Sequence, residues 1–435
     1  MDADAIVIGA GAAGLAAARQ LASRGFSTRV VEARDRIGGR VWARRASADP
    51  VPGELGAEFI HGPAPETLAL LRDAGSERIE TGGDSWVRGP SGEFVREDDD
   101  FLASAALLAR AERLERDESV ERFLQRFDGE PAMREAVLRA RLFVEGFEAA
   151  DPSIASVQAI AKEWSSGVDS TSGRPRGGYA PMFERLYADC MASGVAFDWE
   201  ARVRRIGWGA AGVEIETAPP RARSLCARTA IVTLPAGVMR HRGDGEVRFE
   251  PPLPAQKRES LAHIEMGAVV KACLWFHTPF WNELRDGRYR DAGFFRAEGA
   301  PFGVFWTQYP ERSNAIAAWI GGPKAAALLR NPPGDLVTLA RDAFGDALGD
   351  RDLARRCFAE GAMHDWHADP FARGAYSYVA VGGGAARETL GASLANALFF
   401  AGEATSTDGQ GGTVNGALQT GERAAAQAAA AMEAR

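Results

Sequence analysis

The sequence predicts an α/β chain in two domains, and three observations carry that prediction. Its first forty residues run strand, glycine turn, helix, strand. Short β-type runs separated by Gly and Pro recur from Val195 to Leu234 and again from Gly267 to Ile320. Helical periodicity from about Pro65 to Trp164 interrupts them, with Leu68, Leu71, Leu107, Leu108, Phe123, Leu124, Val137 and Leu138 spaced between Arg and Glu. At 435 residues the chain is too long for one ordinary core.

The first element is the apolar run Ala5 to Ile8, read as a buried strand. It enters Gly9-Ala10-Gly11-Ala12-Ala13-Gly14 and then an Ala/Leu-rich helix ending near Gly25. A second strand, Thr28 to Val31, follows, with Glu32 at its end. This is a βαβ unit of the Rossmann type carrying the G-x-G-x-x-G turn. Gly9 permits the turn, Gly11 lets backbone approach a pyrophosphate, and Gly14 lets helix and strand pack closely. The helix start offers amide donors to phosphate, and Glu32 is placed to accept from ribose hydroxyls. Gly38 and Gly39, set between Arg34, Arg36 and Arg40, suit a second backbone approach to an anion.

Next, glycines bracket Gly56-Ala57-Glu58-Phe59-Ile60-His61-Gly62, the pattern of backbone passing close to something flat. His61 has a bland alternative as a hydrogen-bonded turn histidine. Within the helical stretch, residues 97–100, Glu-Asp-Asp-Asp, read as a solvated helix start, not as a metal site. Residues 173–178, Gly-Arg-Pro-Arg-Gly-Gly, read as a linker, and a helix with Met182 and Leu186 follows. A small meander of Val195 to Phe197, Val203 to Trp208, Val213 to Thr217 and Thr229 to Leu234 is then expected to return to the first domain. In the strand Gly267 to Phe276, Lys271 sits mid-run, where burial is costly. It must be paired, solvated or functional, unless the strand is an exposed edge. Helical stretches are expected near Ala325 to Arg330 and Asp335 to Leu348. The chain closes with a buried strand at Leu398 ending in Gly402-Glu403, a glycine-rich loop, and an Ala-rich helix starting near Thr413 and Val414.

Composition excludes several classes. A formal charge of −8 argues against nucleic acid and mildly favours cationic ligands. No run approaches the length of a membrane helix, and Asp2 and Asp4 stand where a signal peptide is positive, so a cytoplasmic protein is expected. Cys190, Cys226, Cys273 and Cys357 are scattered, with no C-x-x-C. That removes a structural zinc site and dithiol redox chemistry.

Four motifs in order resemble the flavin-containing amine oxidases: the N-terminal βαβ unit with EARDRIGGR, then ELGAEFIHG, then GAVVKACLWF, and finally WHADPFARGAYSYV with FFAGEATS and GGTVNGALQTGERAA. The polyamine oxidase and lysine-specific demethylase branch is the most similar. The resemblance implies an FAD-binding, glutathione-reductase-like Rossmann domain in three segments, 1–75, 175–260 and 388–435. It also implies an α+β substrate domain with an antiparallel sheet, monoamine oxidase-like, over 76–174 and 261–387. It places Gly9, Gly11, Ala13, Gly14, Glu32, Arg34, Gly39, Arg40, Gly56, Glu58, Phe59, Val203, Gly402, Glu403, Thr413 and Val414 on FAD. Glu32 matches the ribose ligand, Arg34 and Arg40 pyrophosphate ligands, and Val203 the backbone that holds adenine. Glu403 matches a ribityl- or pyrophosphate-side group, Glu58 and Phe59 contact the ring through backbone, and Thr413 and Val414 aim the last helix at it. Lys271 matches the lysine that holds a water at flavin N5, Trp366 and Tyr376 the aromatics beside the ring, and His61 a polar position near the amine.

Members with covalent flavin carry Cys at the position of Ala375, so non-covalent FAD is implied. Monoamine oxidases place a second tyrosine where this chain has Thr413, and the demethylases add chromatin-binding domains. The implied reaction is oxidative deamination of a primary or secondary (poly)amine, with dioxygen as acceptor and hydrogen peroxide as product. An L-amino acid oxidase, another FAD oxidase or desaturase of the superfamily, and a non-catalytic FAD scaffold are the alternatives. Oligomeric state is not legible.

Overall fold

The computed structural model describes residues 1–47, 49–89, 91–97, 101–166, 172–297 and 299–434, with backbone only at Phe101. Among them, the strand Ala3–Ile8 lies between Thr28–Val31 and Ser224–Val232, parallel to both. Ile6, Val7 and Ile8 are at most 1 % exposed, because Leu15 and Leu418 pack with Val7 on one face of this sheet and Val238, Leu261 and Leu390 with Ile6 and Ile8 on the other. Ala196–Asp198 extends the sheet beyond Thr28–Val31, and Leu398–Phe400 pairs with Ser224–Val232. Of the expected meander, Val203–Gly209 and Gly212–Thr217 form an antiparallel hairpin that continues into Ser224–Val232, whereas its first run is corrected: Ala196–Asp198 pairs in parallel with Thr28–Val31 at the other edge.

The helix Ala12–Ser23 packs on the last helix, Val414–Glu433, through small residues. A Cβ on Gly421 would sit 2.2 Å from the Ala13 carbonyl oxygen. Leu15, Leu21 and Leu418 are wholly buried around this contact, each contributing about 1.5–3 kcal/mol. This packing fixes both helix N-termini relative to the sheet.

The second large sheet runs Phe358–Met363, Val269–Phe276, Ala315–Gly321, Val304–Trp306, Ala292–Arg296, Asp84–Arg88, Phe94–Arg96. Val269–Phe276 has a partner on each side and is buried at every position, so the edge-strand alternative for Lys271 is corrected. Two further expectations change. The stretch from Pro65 to Trp164 is not helical throughout: Arg78–Glu80, Asp84–Arg88 and Phe94–Arg96 are strands, the last two completing this sheet. The supposed linker contains a strand, Ser172–Pro175, held between Ile60–His61 and Arg78–Glu80. In the acidic run, residues 98–100 lie outside the described residues; Glu97 pairs with Arg139, and the helix Phe101–Ala109 begins just beyond. Among the described residues no helix is long and apolar enough to cross a membrane.

Candidate active site

A cavity of about 1130 Å³ runs from the glycine turn of the first sheet to the face of the second. Every candidate residue named above lines it except Gly14. Gly14 serves packing instead: a Cβ there would stand 1.9 Å from the Gly9 carbonyl oxygen, and Gly9 itself has φ of 109°.

At one end the donors are backbone. Gly11, the N-cap of Ala12–Ser23, supplies no side-chain cap, so the first amides of that helix face the cavity without an intrahelical acceptor. A Cβ on Gly11 would meet nothing within 4 Å, which leaves the approach open. Glu32 is fixed there by accepting from Ala10 N at 2.7 Å and Arg34 N at 2.8 Å. Burial raises its carboxyl above the ordinary range despite those two bonds. Arg34 pairs with Asp369 at 2.8 Å and lies over Phe371, and Val203 lines the same end.

Midway, Glu403 gathers the chain's distant segments. Its carboxylate accepts from Arg40 at 2.8 Å, from the Ser377 hydroxyl at 2.6 Å and from Gly412 N at 3.1 Å. Burial opposes its charge, but Arg40 and Arg387 outweigh burial and hold the carboxyl below its usual range. Arg40 also donates to the Ala375 carbonyl at 2.7 Å. Thr413 caps the last helix, its hydroxyl accepting from Gly416 N at 2.9 Å. Val414 begins that helix at the cavity wall.

The far end is a buried charge cluster. Lys271, 3 % exposed, donates to Glu58 Oε2 at 2.5 Å and to the Gly56 carbonyl at 3.2 Å. Glu58 Oε1 accepts from Arg174 Nε at 2.8 Å, Trp306 Nε1 at 2.9 Å and Gln308 Nε2 at 3.3 Å. Burial alone would raise the Glu58 carboxyl; Lys271 and Arg174 reverse that and hold it at about 2. Around this cluster stand aromatic walls. Trp366 donates to the Leu55 carbonyl at 2.9 Å, and Tyr376 donates to the Phe147 carbonyl. His61 lies between the rings of Phe59 and Phe147, and burial, with Arg78 second, pushes its pKa down to about 4. It is therefore neutral at pH 7.

Sequence reasoning missed Arg174, Trp306, Gln308 and Phe147. A buried-charge argument at Lys271 demanded a carboxylate partner, and Glu58 in the glycine-bracketed run was the available signal. Arg174 had none, because its neighbours read as loop.

Glu54, behind this cluster, accepts from Tyr179 N at 2.7 Å, and burial pushes its carboxyl up to about 7. The folded state then binds a proton that the unfolded state lacks between about pH 4.5 and 7, so Glu54 lowers stability as pH rises through that window. Glu54→Gln is expected to stabilise the protein by about 1–3 kcal/mol at pH 8 and little at pH 4, a difference that urea unfolding at the two pH values measures.

A family model described as flavin-containing amine oxidoreductase matches residues 12–429. The chain is 28 % identical over 450 residues to lysine-specific histone demethylase 1 homolog 1 of Oryza sativa subsp. japonica, covering 97 % of this chain and 52 % of the rice protein. It spans about half the length of the curated relatives it matches. Among solved structures, wild-type putrescine oxidase bound to putrescine superposes with a TM-score of 0.81 at 22 % identity, over 99 % of both chains. Cyclohexylamine oxidase from Brevibacterium oxydans IH-35A gives 0.81 at 24 % identity, over 100 % of this chain and 99 % of that one. The fold is that of these oxidases.

Proposed function

Because the chain belongs to the flavin-containing amine oxidoreductase family, we propose that it is an amine oxidase holding FAD non-covalently in the cavity just described. The observation that carries this reading is the continuity of that cavity. One space joins an uncapped helix start and a ribose-type carboxylate to an aromatic pocket with a buried lysine. Its volume exceeds the roughly 300–1,000 Å³ of a single ligand pocket, which suits a dinucleotide together with a small substrate. FAD held there would supply the hydride acceptor for the carbon next to the amine nitrogen and the route of the electrons to dioxygen.

Gly11, Ala13, Gly39 and Arg34 would hold the pyrophosphate, Glu32 the ribose and Val203 the adenine. Arg40, oriented by Glu403, would support the phosphate-to-ring span, and Gly402, Thr413 and Val414 the ring. Ala375 offers no thiol, and none of Cys190, Cys226, Cys273 and Cys357 lines the cavity, which supports non-covalent binding. Lys271, Trp366 and Tyr376 would border the reacting end. The substrate nitrogen must be neutral to release hydride. Phe59, Phe147, Tyr376 and neutral His61 desolvate it without adding charge, which favours the neutral amine.

The substrate reading is a primary or secondary amine, (poly)amines included, supported by the amines named in the similar oxidase structures. The discontinuous division into 1–75, 175–260 and 388–435 against 76–174 and 261–387 is part of the same proposal.

The test is aerobic turnover of the purified yellow protein with a panel of amines and amino acids. Peroxide and an aldehyde or ketone should form in equal amounts from amines, and acid precipitation should leave FAD in the supernatant. Peroxide from amino acids alone would change the substrate class, and flavin retained by the precipitate would contradict non-covalent binding. Glu32→Ala should weaken FAD binding about tenfold to a hundredfold, the loss of a charged hydrogen bond worth about 1.5–3 kcal/mol. Unchanged affinity in a fluorescence titration would remove Glu32 from the site.

A further inference from the structure

We propose that Glu58 is a positioning residue whose carboxylate holds the Lys271 ammonium in one orientation, and in its charged form, at the reacting end of the cavity. This rests on reading the cavity as a flavin amine-oxidase site. The ammonium has three N–H donors. Glu58 and the Gly56 carbonyl take two, and the third has no protein acceptor among the described residues, while Lys271 lines the cavity. The Trp306 ring centroid lies 5.4 Å from the ammonium nitrogen, and Lys271 borders the cavity, so the third donor is left for whatever occupies that space. Glu58 cannot swing away, because Arg174, Trp306 and Gln308 reach it from the strand Ser172–Pro175 and from the end of Val304–Trp306. Arg174 is itself anchored on the Thr307 and Tyr309 carbonyls at 3.0 and 3.2 Å and lies over Phe59.

The charges facing the pair decide what Glu58 does. Arg174 adds a second cation from one side. Glu54 faces it from the strand Asp49–Glu54, with its carboxyl raised to about 7. Cys273, next inward on the lysine's own strand face, has its thiol pushed up to about 12 by burial and carries no charge at neutral pH; Arg44 acts on it from beyond. Glu58 is therefore the one firmly ionised carboxylate among these groups at pH 7. Without it, Lys271 and Arg174 become two buried like charges. Arginine does not release its proton, so of the two cations only the lysine can.

The experiment is a pH titration of the visible spectrum of FAD-loaded protein, without substrate. Glu58→Gln should introduce a spectral transition between about pH 6 and 9, the range to which burial and a like charge bring a lysine. That transition should be absent from the wild type and from the Glu58→Gln/Lys271→Met double variant. Amine turnover by Glu58→Gln should follow the same apparent pKa, recovering toward the acid side. A Glu58→Gln spectrum without a transition, or one that survives Lys271→Met, overturns the proposal. Glu58→Asp keeps the charge and shortens the reach, and serves if Glu58→Gln does not accumulate. It should slow kcat at least about tenfold while KM moves less than about threefold. Wild-type kcat in Glu58→Asp would overturn the positioning role. Protein that folds but binds no flavin would instead overturn the reading of the cavity, and the proposal with it.

Discussion

Glu58→Ala is expected to lower the stability of the folded protein by about 3–5 kcal/mol, the size of effect seen when one partner is removed from a buried ionic group. Three losses combine. Lys271 and Arg174, 3 % and 7 % exposed, are left as uncompensated neighbouring cations. Trp306 Nε1 and Gln308 Nε2 lose their shared acceptor. The truncated side chain also leaves a void. Because Lys271 can shed its proton as pH rises and Arg174 cannot, the deficit should shrink toward pH 9. Glu58→Gln keeps an acceptor for Trp306 and fills the space, so its loss should be smaller. Urea denaturation of the three proteins at pH 7 and 9 measures this. A deficit under about 1 kcal/mol for Glu58→Ala would mean that the cluster behaves as a solvated surface pair.

Lys271→Met acts on the same cluster with the opposite charge arithmetic. Removing the lysine leaves Glu58 with Arg174, Trp306 and Gln308, a neutral and hydrogen-bonded group, and methionine fills the stem's volume. The variant should therefore fold and bind FAD. What it loses is the ammonium that borders the cavity, with its donors and its positive charge. Stopped-flow should show reduction by amine, reoxidation by dioxygen, or both, slowed at least about tenfold, equivalent to about 1.4 kcal/mol of barrier. Wild-type rates in both half-reactions would make Lys271 a structural member of the Glu58 cluster and nothing more.

Where sequence alone was sufficient, the interactions were local. Strand, turn, helix and second strand all fall before Glu32, and each glycine's task follows from its neighbours. Gly14 fits its packing task, since a Cβ there would strike the Gly9 carbonyl, and it is absent from the cavity wall. Lys271 was legible as a problem, a charge in an apolar strand, but its solution was not. Glu58 lies 213 residues earlier, and Arg174, 116 residues past Glu58, sits in a Gly/Pro-rich stretch with every local mark of a loop. Pairing across the sheet, not propensity, makes that stretch a strand. The same holds for Asp84–Arg88, whose parallel partner Ala292–Arg296 comes some two hundred residues later. A helical period in the surrounding chain could not reveal either partner. Glu403 was legible as the end of a buried strand, whereas its bonds to Arg40 and Ser377 depend on loops that only the folded chain brings together.

Under the proposed function, electrons leave an amine carbon for a flavin held in this cavity. Anaerobic mixing of the holoprotein with each of a panel of amines, followed at the visible flavin maximum, tests it most directly. Full bleaching by at least one primary or secondary amine is expected, with one aldehyde or ketone released per flavin after hydrolysis and the absorbance restored when dioxygen is admitted. A flavin that stays oxidised with every amine, while dithionite bleaches it normally, would contradict the proposed function.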